Sequence, residues 1–592
     1  MTNEEIGDLL EDIAAAYEVK GANRFRIMAY QNASEAFRHT SVDLKKLWQE
    51  GKLESIGGIG PSIASHLSEV FEKGESKHFQ KIIKSLPEGM FELLKLPGIG
   101  PKTAYKLAKR FKLNNASTAL LELGKIASQG EIRKLSGFGE KSEKKILEAI
   151  EDQKEKKGGK RMLLPVAEEV AQALVDYLKK EPACKKIEAL GSLRRKAATI
   201  GDVDLAVSSN KPKKVIDKFT SYPEVKKIAV KGEGTARINL RNGRQIDLKV
   251  VELACFGSLL QHFTGSKAHN IALREYALKK GWSLSEYGIK KLKTQKSKLI
   301  KFSDEEKFYR FLGLDYILPE LREGEDEIES AKNHKLPNLV KLSDIKGDLH
   351  IHSNIDIATS HDKGSASLEQ IGRKAAELGY RYVAIADHNP ATTTNSEKKI
   401  FNLLEMRKAK IDKYNNSSEK REKSVYIFCS LEVDIKPDGS LALPKMAFDL
   451  FDFLIAAVHT SFNMSKKKMT KRILSALKHP KVKILAHPTG RMLNRRSGYE
   501  ADWDKIFEYC KKNKKFLEIN AWPLRLDLPD LLARRARGKG VKFIVNTDSH
   551  ELPHMDLMRY GVYVARRGWC EKSDIINTRN LKEISKYLIS NT

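Results

Sequence analysis

Apolar positions along the first 155 residues fall at the three-to-four spacing of amphipathic helices, and three related glycine turns interrupt them. The turns are Gly57-Gly58-Ile59-Gly60-Pro61, Pro97-Gly98-Ile99-Gly100-Pro101-Lys102 and Gly137-Phe138-Gly139-Glu140-Lys141. Each follows a Leu or Ile and precedes a helix-like run. Around the second, Leu93, Leu94 and Leu96 lead in, while Ala104, Leu107 and Ala108 follow at helical spacing. Past residue 160 the pattern changes. Residues 166–178 read as one amphipathic helix, 187–190 as a short strand, the run from Val203 as another strand and 238–248 as a hairpin. The Asn242-Gly243 pair in that hairpin predicts a two-residue type I′ turn. From residue 347 onward, short apolar runs alternate with helix-like segments.

Two charged, turn-rich stretches, 151–160 and 323–346, read as solvated linkers. Domain boundaries are therefore expected at 1–85 and 86–155 for two helical domains, 161–255 for a mixed domain, 256–322 for a smaller one, and 347–592 for the alternating block. A chain of 592 residues suffices for several such cores. Lys and Arg number 107 against 77 Asp and Glu, a net charge of +30 spread from end to end. The expected counterpart is a polyanion, nucleic acid by default. The five cysteines (Cys184, Cys255, Cys429, Cys510, Cys570) form no Cys-x-x-Cys pair, which argues against a thiolate zinc site or a disulfide framework. The acidic start lacks the order of a signal peptide and no apolar run reaches spanning length. A cytoplasmic, monomeric protein without membrane contact is expected.

Gly-x-Gly permits left-handed backbone and close approach of a phosphate, and the helix that follows offers that anion its unpaired N–H groups. Gly58, Gly60, Gly98, Gly100 and Lys102 are thus candidate DNA contacts. The turns resemble the helix-hairpin-helix, which grips the DNA backbone without reading bases. In the mixed domain, Asp202 and Asp204 stand two apart around the start of a predicted strand, so their carboxylates face one side and repel unless a cation lies between them. Asp247, on the second strand of the predicted hairpin, is a natural third carboxylate. Paired carboxylates with substrate phosphates are the usual way to hold Mg²⁺, and three suit a two-ion phosphoryl transfer. Upstream, the Gly191-Ser192 turn and Arg195 can bind terminal phosphates.

With these residues the chain resembles a family X DNA polymerase, similar to polymerase beta, over roughly residues 1–322. The match extends to Phe263-Thr264-Gly265-Ser266-Lys267-Ala268-His269-Asn270, Leu273-Arg274 and Trp282-Ser283-Leu284-Ser285-Glu286-Tyr287-Gly288, the nucleotide-selection segment of that family. The resemblance implies that Asp202, Asp204 and Asp247 bind metal, and that Gly191, Ser192 and Arg195 hold the incoming triphosphate. It also implies that Phe263 and Gly265 pack on the sugar, that Asn270 contacts the nascent pair and that Arg274 touches the template. Two positions depart from the family. His262 replaces the aromatic just before the Phe, so ribonucleotide exclusion does not carry over. His66 replaces the Schiff-base lysine of the lyase domain, and an imidazole cannot form that imine.

In the last block, apolar runs end in His350 and His352, His388, Glu432, His459, His487, and Asp548 with His550. Strands that each deliver a ligand at the carboxyl end are how a (β/α) barrel gathers a site at one rim. Mixed imidazole and carboxylate ligands favour Zn²⁺, Mn²⁺ or Fe²⁺, and such a site hydrolyses phosphate esters. The block resembles the polymerase and histidinol phosphatase (PHP) domain, which implies up to three ions and a further acid in the first loop. Asp362 is the choice for that acid and Asp356 the alternative; Arg491 is a candidate phosphate contact.

The fold expected is multidomain: all-α helix-hairpin-helix domains, an α+β nucleotidyltransferase palm with its nucleotide-selection subdomain, and a distorted (β/α)₇ PHP barrel. The function expected is gap-filling DNA polymerisation from dNTPs on gapped or primed duplex with Mg²⁺ or Mn²⁺, joined to a 3′-5′ exonuclease or phosphodiesterase. The alternatives are a template-independent nucleotidyltransferase and a DNA-binding scaffold whose barrel hydrolyses a small phosphate ester.

Overall fold

The computed structural model describes the chain except for residues 1–2, 40–43, 56–58, 97, 156–160, 293–297, 419–424, 497 and 590–592. It divides into two compact units, 1–193 with 199–260, and 194–198 with 261–592. Among the described residues no helix is long and apolar enough to cross a membrane.

The front of the first unit is helical. The helix Pro61–Lys73 starts from Gly60 with Pro61 in its first turn, where the missing N–H costs nothing, and buries Ile63, Ala64, Leu67 and Val70 along one face. The helix Pro101–Arg110 repeats the design from Gly100, burying Ala104, Leu107 and Ala108. These faces join Leu10, Phe37, Leu93 and Leu123 in one core. The helix Glu140–Glu155 continues into the expected linker, so residues 151–155 are helical; 156–160 lie outside the described residues.

The rest of the first unit is built on a sheet. A small pair, β1 (Met162–Leu163) and β3 (Thr199–Ile200), flanks it in sequence, and β2 is Lys186–Ala189. The main strands are β4 (Val203–Ser208), β5 (Val225–Lys231), β6 (Thr235–Leu240) and β7 (Gln245–Val251). Their order is β2-β4-β7-β6-β5, with β4 and β7 parallel and every other neighbour antiparallel. The β6–β7 turn corrects the expected type I′ geometry. Gly243 alone has positive φ, at 88°, and its N–H donates to the Leu240 carbonyl while the Leu240 N–H donates to Arg244. This is a type I turn closed by a glycine bulge, with the Asn242 side chain accepting from the Arg244 N–H instead of its backbone turning left-handed.

In the second unit, Ser266 caps the helix Lys267–Lys279 by accepting from the His269 N–H, and a hairpin of β8 (Trp282–Ser285) and β9 (Gly288–Lys291) follows. The stretch 323–346 is not the solvated linker that its charge suggests. Glu327 is fully buried and Ala331, Leu339 and Val340 are core residues. Glu327 accepts from the backbone of Gly324 and Glu325 and from His269 at 2.7 Å, while Tyr309 meets the other His269 nitrogen at 2.9 Å. Glu327 is thus satisfied internally, which is the condition for burying it, while Glu325 and Asp326 are exposed and pair with Arg534.

A parallel barrel completes this unit. Its strands are β10 (Gly347–Ile351), β11 (Tyr382–Ile385), β12 (Tyr426–Cys429), β13 (Glu432–Asp434), β14 (Leu454–Ala457), β15 (Val482–Leu485), β16 (Phe516–Asn520) and β17 (Phe543–Asn546). All pairings are parallel, and an Ile351–Ser549 bridge returns the last strand to the first. β12 pairs with β11 and β13 with β14, and a His388–Glu432 bridge ties β13 back to the segment after β11, so β12 and β13 are two halves of one strand creased at Ser430-Leu431; counted so, the barrel has seven strands. β10, β11, β14, β15, β16 and β17 are buried along their whole length and β12 from its second residue, as strands inside a helix layer must be. Glu432 therefore opens its own half-strand and does not end the 426–429 run.

Candidate metal centres

Parallel pairing of β4 with β7 puts Asp204 directly opposite Asp247, and Asp202 immediately precedes β4. One oxygen from each of the three carboxylates lies within 4.8 Å of the others. Burial first, then repulsion from Asp202 and Asp247, pushes the Asp204 carboxyl up to about 7. Such crowding of acid groups fits a divalent cation between them. Arg237, opposite Asp247 on β6, donates bidentately to it at 2.6 and 3.0 Å, and Gln245 reaches Asp202 and Asp247 at 3.4 and 3.3 Å. Gly191 sits at φ 58°, where an added Cβ would lie 2.6 Å from the Asp204 carboxylate, so no other residue fits beside that acid. Ser192 follows in the short helix Gly191–Arg194.

Arg195, counted with the second unit, donates from Nη1 to the Thr264 carbonyl at 2.5 Å and from Nε to Glu323 at 3.2 Å. Asn270 donates to the His262 carbonyl at 2.7 Å and accepts from Gln261 at 2.9 Å, which fixes the start of its helix against the Phe263-Thr264-Gly265 corner. Arg274 is exposed beside His262.

Among the candidate DNA contacts, Gly98, Gly100 and Lys102 are exposed around the first turn of Pro101–Arg110, where no side chain caps the free N–H groups. Gly60 is likewise exposed before Pro61–Lys73, and Gly58 lies outside the described residues. His66, on that helix, stacks on His78 with ring centroids 4.1 Å apart and meets the Tyr30 hydroxyl at 3.1 Å. Burial and the second imidazole lower its pKa.

In the barrel, five imidazoles surround the Glu432 carboxylate: His350, His352, His388, His459 and His487, at 3.4, 3.7, 2.9, 3.3 and 2.8 Å. Asp548 lies 3.5 Å from His350 and 3.2 Å from His352; Asp362 lies 3.5 Å from His388 and 3.4 Å from His550. Burial opposes ionisation of Glu432, but the imidazoles outweigh it and hold its carboxyl well below the ordinary range. Six buried ligand atoms, one each on His350, His352, His388, Glu432, His487 and His550, make no hydrogen bond of acceptable geometry. Orphaned donors and acceptors at this density fit a cluster of metal ions.

Of the two first-loop acids, both exposed, Asp362 lies beside His388 and His550, whereas Asp356 accepts from the Ala358 N–H within its own turn. The Arg491 guanidinium is anchored to the carbonyls of Arg525 and Leu526 through Nε and Nη2. Arg525 is the cation that approaches the cluster, 3.5 Å from Asp548. Several partners lay outside the sequence reading. Glu518 on β16 accepts from His350 Nδ1 at 2.7 Å, and Asn520 donates to Asp548 at 3.1 Å. Asp434 takes His459 Nδ1 at 2.6 Å and His361 at 3.2 Å. A carboxylate on the far nitrogen fixes the ring and tautomer of a ligand histidine. The signal for Asp434 was available: Glu432-Val433-Asp434 repeats the alternation of Asp202-Val203-Asp204.

Known families match four parts of the chain: a helix-hairpin-helix domain at residues 1–76, a SAM-like helix-hairpin-helix tandem at 90–152, a DNA polymerase beta thumb at 259–323 and a PHP domain at 348–521. The DNA polymerase/3′-5′ exonuclease PolX of Bacillus subtilis (strain 168) is 34% identical over 593 residues, spanning the whole of both chains. DNA polymerase lambda of Rattus norvegicus is 25% identical over 349 residues, 54% of this chain and 56% of its own. A protein of Thermoanaerobacter sp. (strain X514) named "Probable phosphatase" is 26% identical over 251 residues, 41% of this chain and 93% of its own. With three carboxylates in register on one sheet and a histidine-rich rim on a PHP barrel, the chain belongs to the family X DNA polymerases that carry a C-terminal PHP domain.

Proposed function

We propose that this chain is a gap-filling DNA-directed DNA polymerase of DNA repair that also trims 3′ ends through its barrel, as a 3′-5′ exonuclease or phosphodiesterase. The register of β4 on β7, which sets Asp204 beside Asp247, carries the first half of this reading. Mg²⁺ or Mn²⁺ held by Asp202, Asp204 and Asp247 supplies charge for the triphosphate and a lowered pKa for the primer 3′-hydroxyl. Arg237 fixes the Asp247 carboxylate through two hydrogen bonds. The Gly191 and Ser192 turn and the Arg195 guanidinium take the triphosphate of a dNTP. Phe263 and Gly265 pack on its sugar, Asn270 meets the nascent pair and Arg274 the template. Gly58, Gly60, Gly98, Gly100 and Lys102 grip the backbone of gapped or primed duplex DNA.

In the barrel, Zn²⁺, Mn²⁺ or Fe²⁺, up to three ions, supplies activated water for phosphate-ester hydrolysis. His350, His352, Asp362, His388, Glu432, His459, His487, Asp548 and His550 hold the ions; Glu518 and Asp434 orient His350 and His459. Arg525 gives the rim a cation for a DNA phosphate, beside Arg491, the candidate phosphate contact. The Bacillus relative, named for both activities and aligned end to end, supports this pairing. The protein acts as a cytoplasmic monomer.

A 5′-labelled gapped duplex with Mg²⁺ or Mn²⁺ tests both halves in one assay. Labelled strands lengthen with dNTPs and shorten without them. Asp202→Ala with Asp204→Ala abolishes lengthening only, and His350→Ala with His352→Ala abolishes shortening only. Loss of both activities in either pair would overturn the assignment of separate sites.

A further inference from the structure

The last residue of the barrel helix Met558–Arg567 does not serve the barrel's metal rim. Arg567 Nη1 donates to the main-chain carbonyl of Arg195 at 2.8 Å and to Glu323 Oε1, also at 2.8 Å. Glu323 in turn accepts from Arg195 Nε on the same Oε1 atom, and Arg567 Nε is itself fixed by Asp530 at 2.6 Å. Arg567 thus holds Arg195 twice, by its backbone and through the carboxylate that orients its side chain. The Arg567 and Arg195 side chains are only 9% and 14% exposed, so water competes weakly for these bonds. The neighbouring Arg566 secures the same approach by donating to Glu320 and to the Val340 carbonyl.

The donor count shows what this arrangement leaves free. A guanidinium has five N–H groups. Arg195 uses Nε on Glu323 and one Nη1 hydrogen on the Thr264 carbonyl, and its Nη2 has no partner among the described residues. The guanidinium is held through Nε and Nη1, so its Nη2 meets a phosphate with little further ordering cost. Glu323 alone would be a poor anchor, because an unshared carboxylate closes bidentately on a guanidinium and competes with phosphate for it. Sharing its oxygen with Arg567 prevents that closure and keeps the local charge positive.

We propose that Arg567 of the barrel, acting through Glu323, is a positioning residue for nucleotide binding by Arg195, so that the nuclease domain sets the affinity of the polymerase for its dNTP. This rests on the reading of Arg195 as a triphosphate ligand. Single-nucleotide insertion into a one-nucleotide gap, with KM for the dNTP and kcat measured separately, tests it. Arg195→Ala tests the underlying reading and raises KM more than about 10-fold. Arg567→Ala raises KM about 5-fold with kcat within about 2-fold, Arg567→Lys recovers part of the loss, and Glu323→Gln raises KM similarly. Arg195→Ala with Arg567→Ala is no worse than Arg195→Ala alone, because the two act as one unit.

An unchanged KM in Arg195→Ala would sink the reading and the inference together. A raised KM there, with Arg567→Ala unchanged or with losses that multiply in the double variant, would overturn the inference alone. Shortening of the labelled strand without dNTPs reports whether each variant's barrel is folded. If Arg567→Ala loses that too, Arg567→Lys and Glu323→Gln decide: unchanged KM in both overturns the proposal.

Discussion

A single side chain separates three crowded acids from a usable metal site. Arg237 is bidentate on Asp247, one of the three carboxylates. Replacing Arg237 by Met should leave the fold intact and lower kcat for extension roughly 10- to 100-fold, since partners of metal-binding carboxylates carry effects of that size. Pre-steady-state insertion with and without added Mn²⁺ checks it, and wild-type rates in the variant would remove Arg237 from the site. The acids themselves were legible, because i and i+2 on a strand share a face whatever the tertiary fold. Arg237 was not, because its partner is set by a cross-strand register that local pattern does not encode. The anchoring of Arg491 was hidden for the related reason that an arginine in a loop looks the same whether it faces solvent or caps carbonyls.

Helices and strands were legible where periodicity or an apolar run was long. The stretch 323–346 misled because Glu327, a charge solvated by default, is buried and satisfied internally among core residues. The same holds just upstream, where Glu305 sits between Arg322 at 2.5 Å and Arg194 at 2.8 Å. Burial alone would raise its carboxyl, but Arg322 and then Arg194 outweigh that and hold it at about 2. Because the folded-state pKa lies below the ordinary 4.5, the stabilisation is complete above that value and is lost as pH falls towards 2. The shift corresponds to about 3 kcal/mol. Thermal unfolding followed from pH 6 to pH 3 should therefore show Tm falling below pH 4.5, and Glu305→Gln should start lower and lose less over that interval. Equal acid slopes in the two proteins would contradict the pairing. The crease between β12 and β13 was equally hidden, since Ser430-Leu431 breaks no pattern that a sequence window detects.

For the whole molecule, the excess of 30 positive charges sets how DNA is held more than which sequence is held. Affinity for a gapped duplex should fall linearly on a log–log plot against salt. Lys102→Ala should reduce the magnitude of that slope by about 1 without altering sequence preference. Fluorescence anisotropy between 50 and 200 mM salt measures it, and an unchanged slope would place Lys102 off the DNA. The multidomain plan was readable as blocks because each block carries its own period and its own chemistry. What joins the blocks was not, because ion pairs such as Arg567 with Glu323 link residues 244 positions apart.

The broken third strand of the barrel has a consequence for how its chemistry can change. Pairing passes from β11 to β14 through Ser430, whose N–H donates to the Ile385 carbonyl, and Leu431, whose carbonyl accepts from Ile455, and those two set the phase of everything after them. With Glu432 turned towards the imidazoles, Val433 must turn into the wall and Asp434 back to His459. Deleting Leu431 would rotate that alternation by one step and present a valine to five histidines. The identity of the centre is thus kept by spacing as strictly as by the ligands, and drift in this family has to conserve a length where no reactive atom stands.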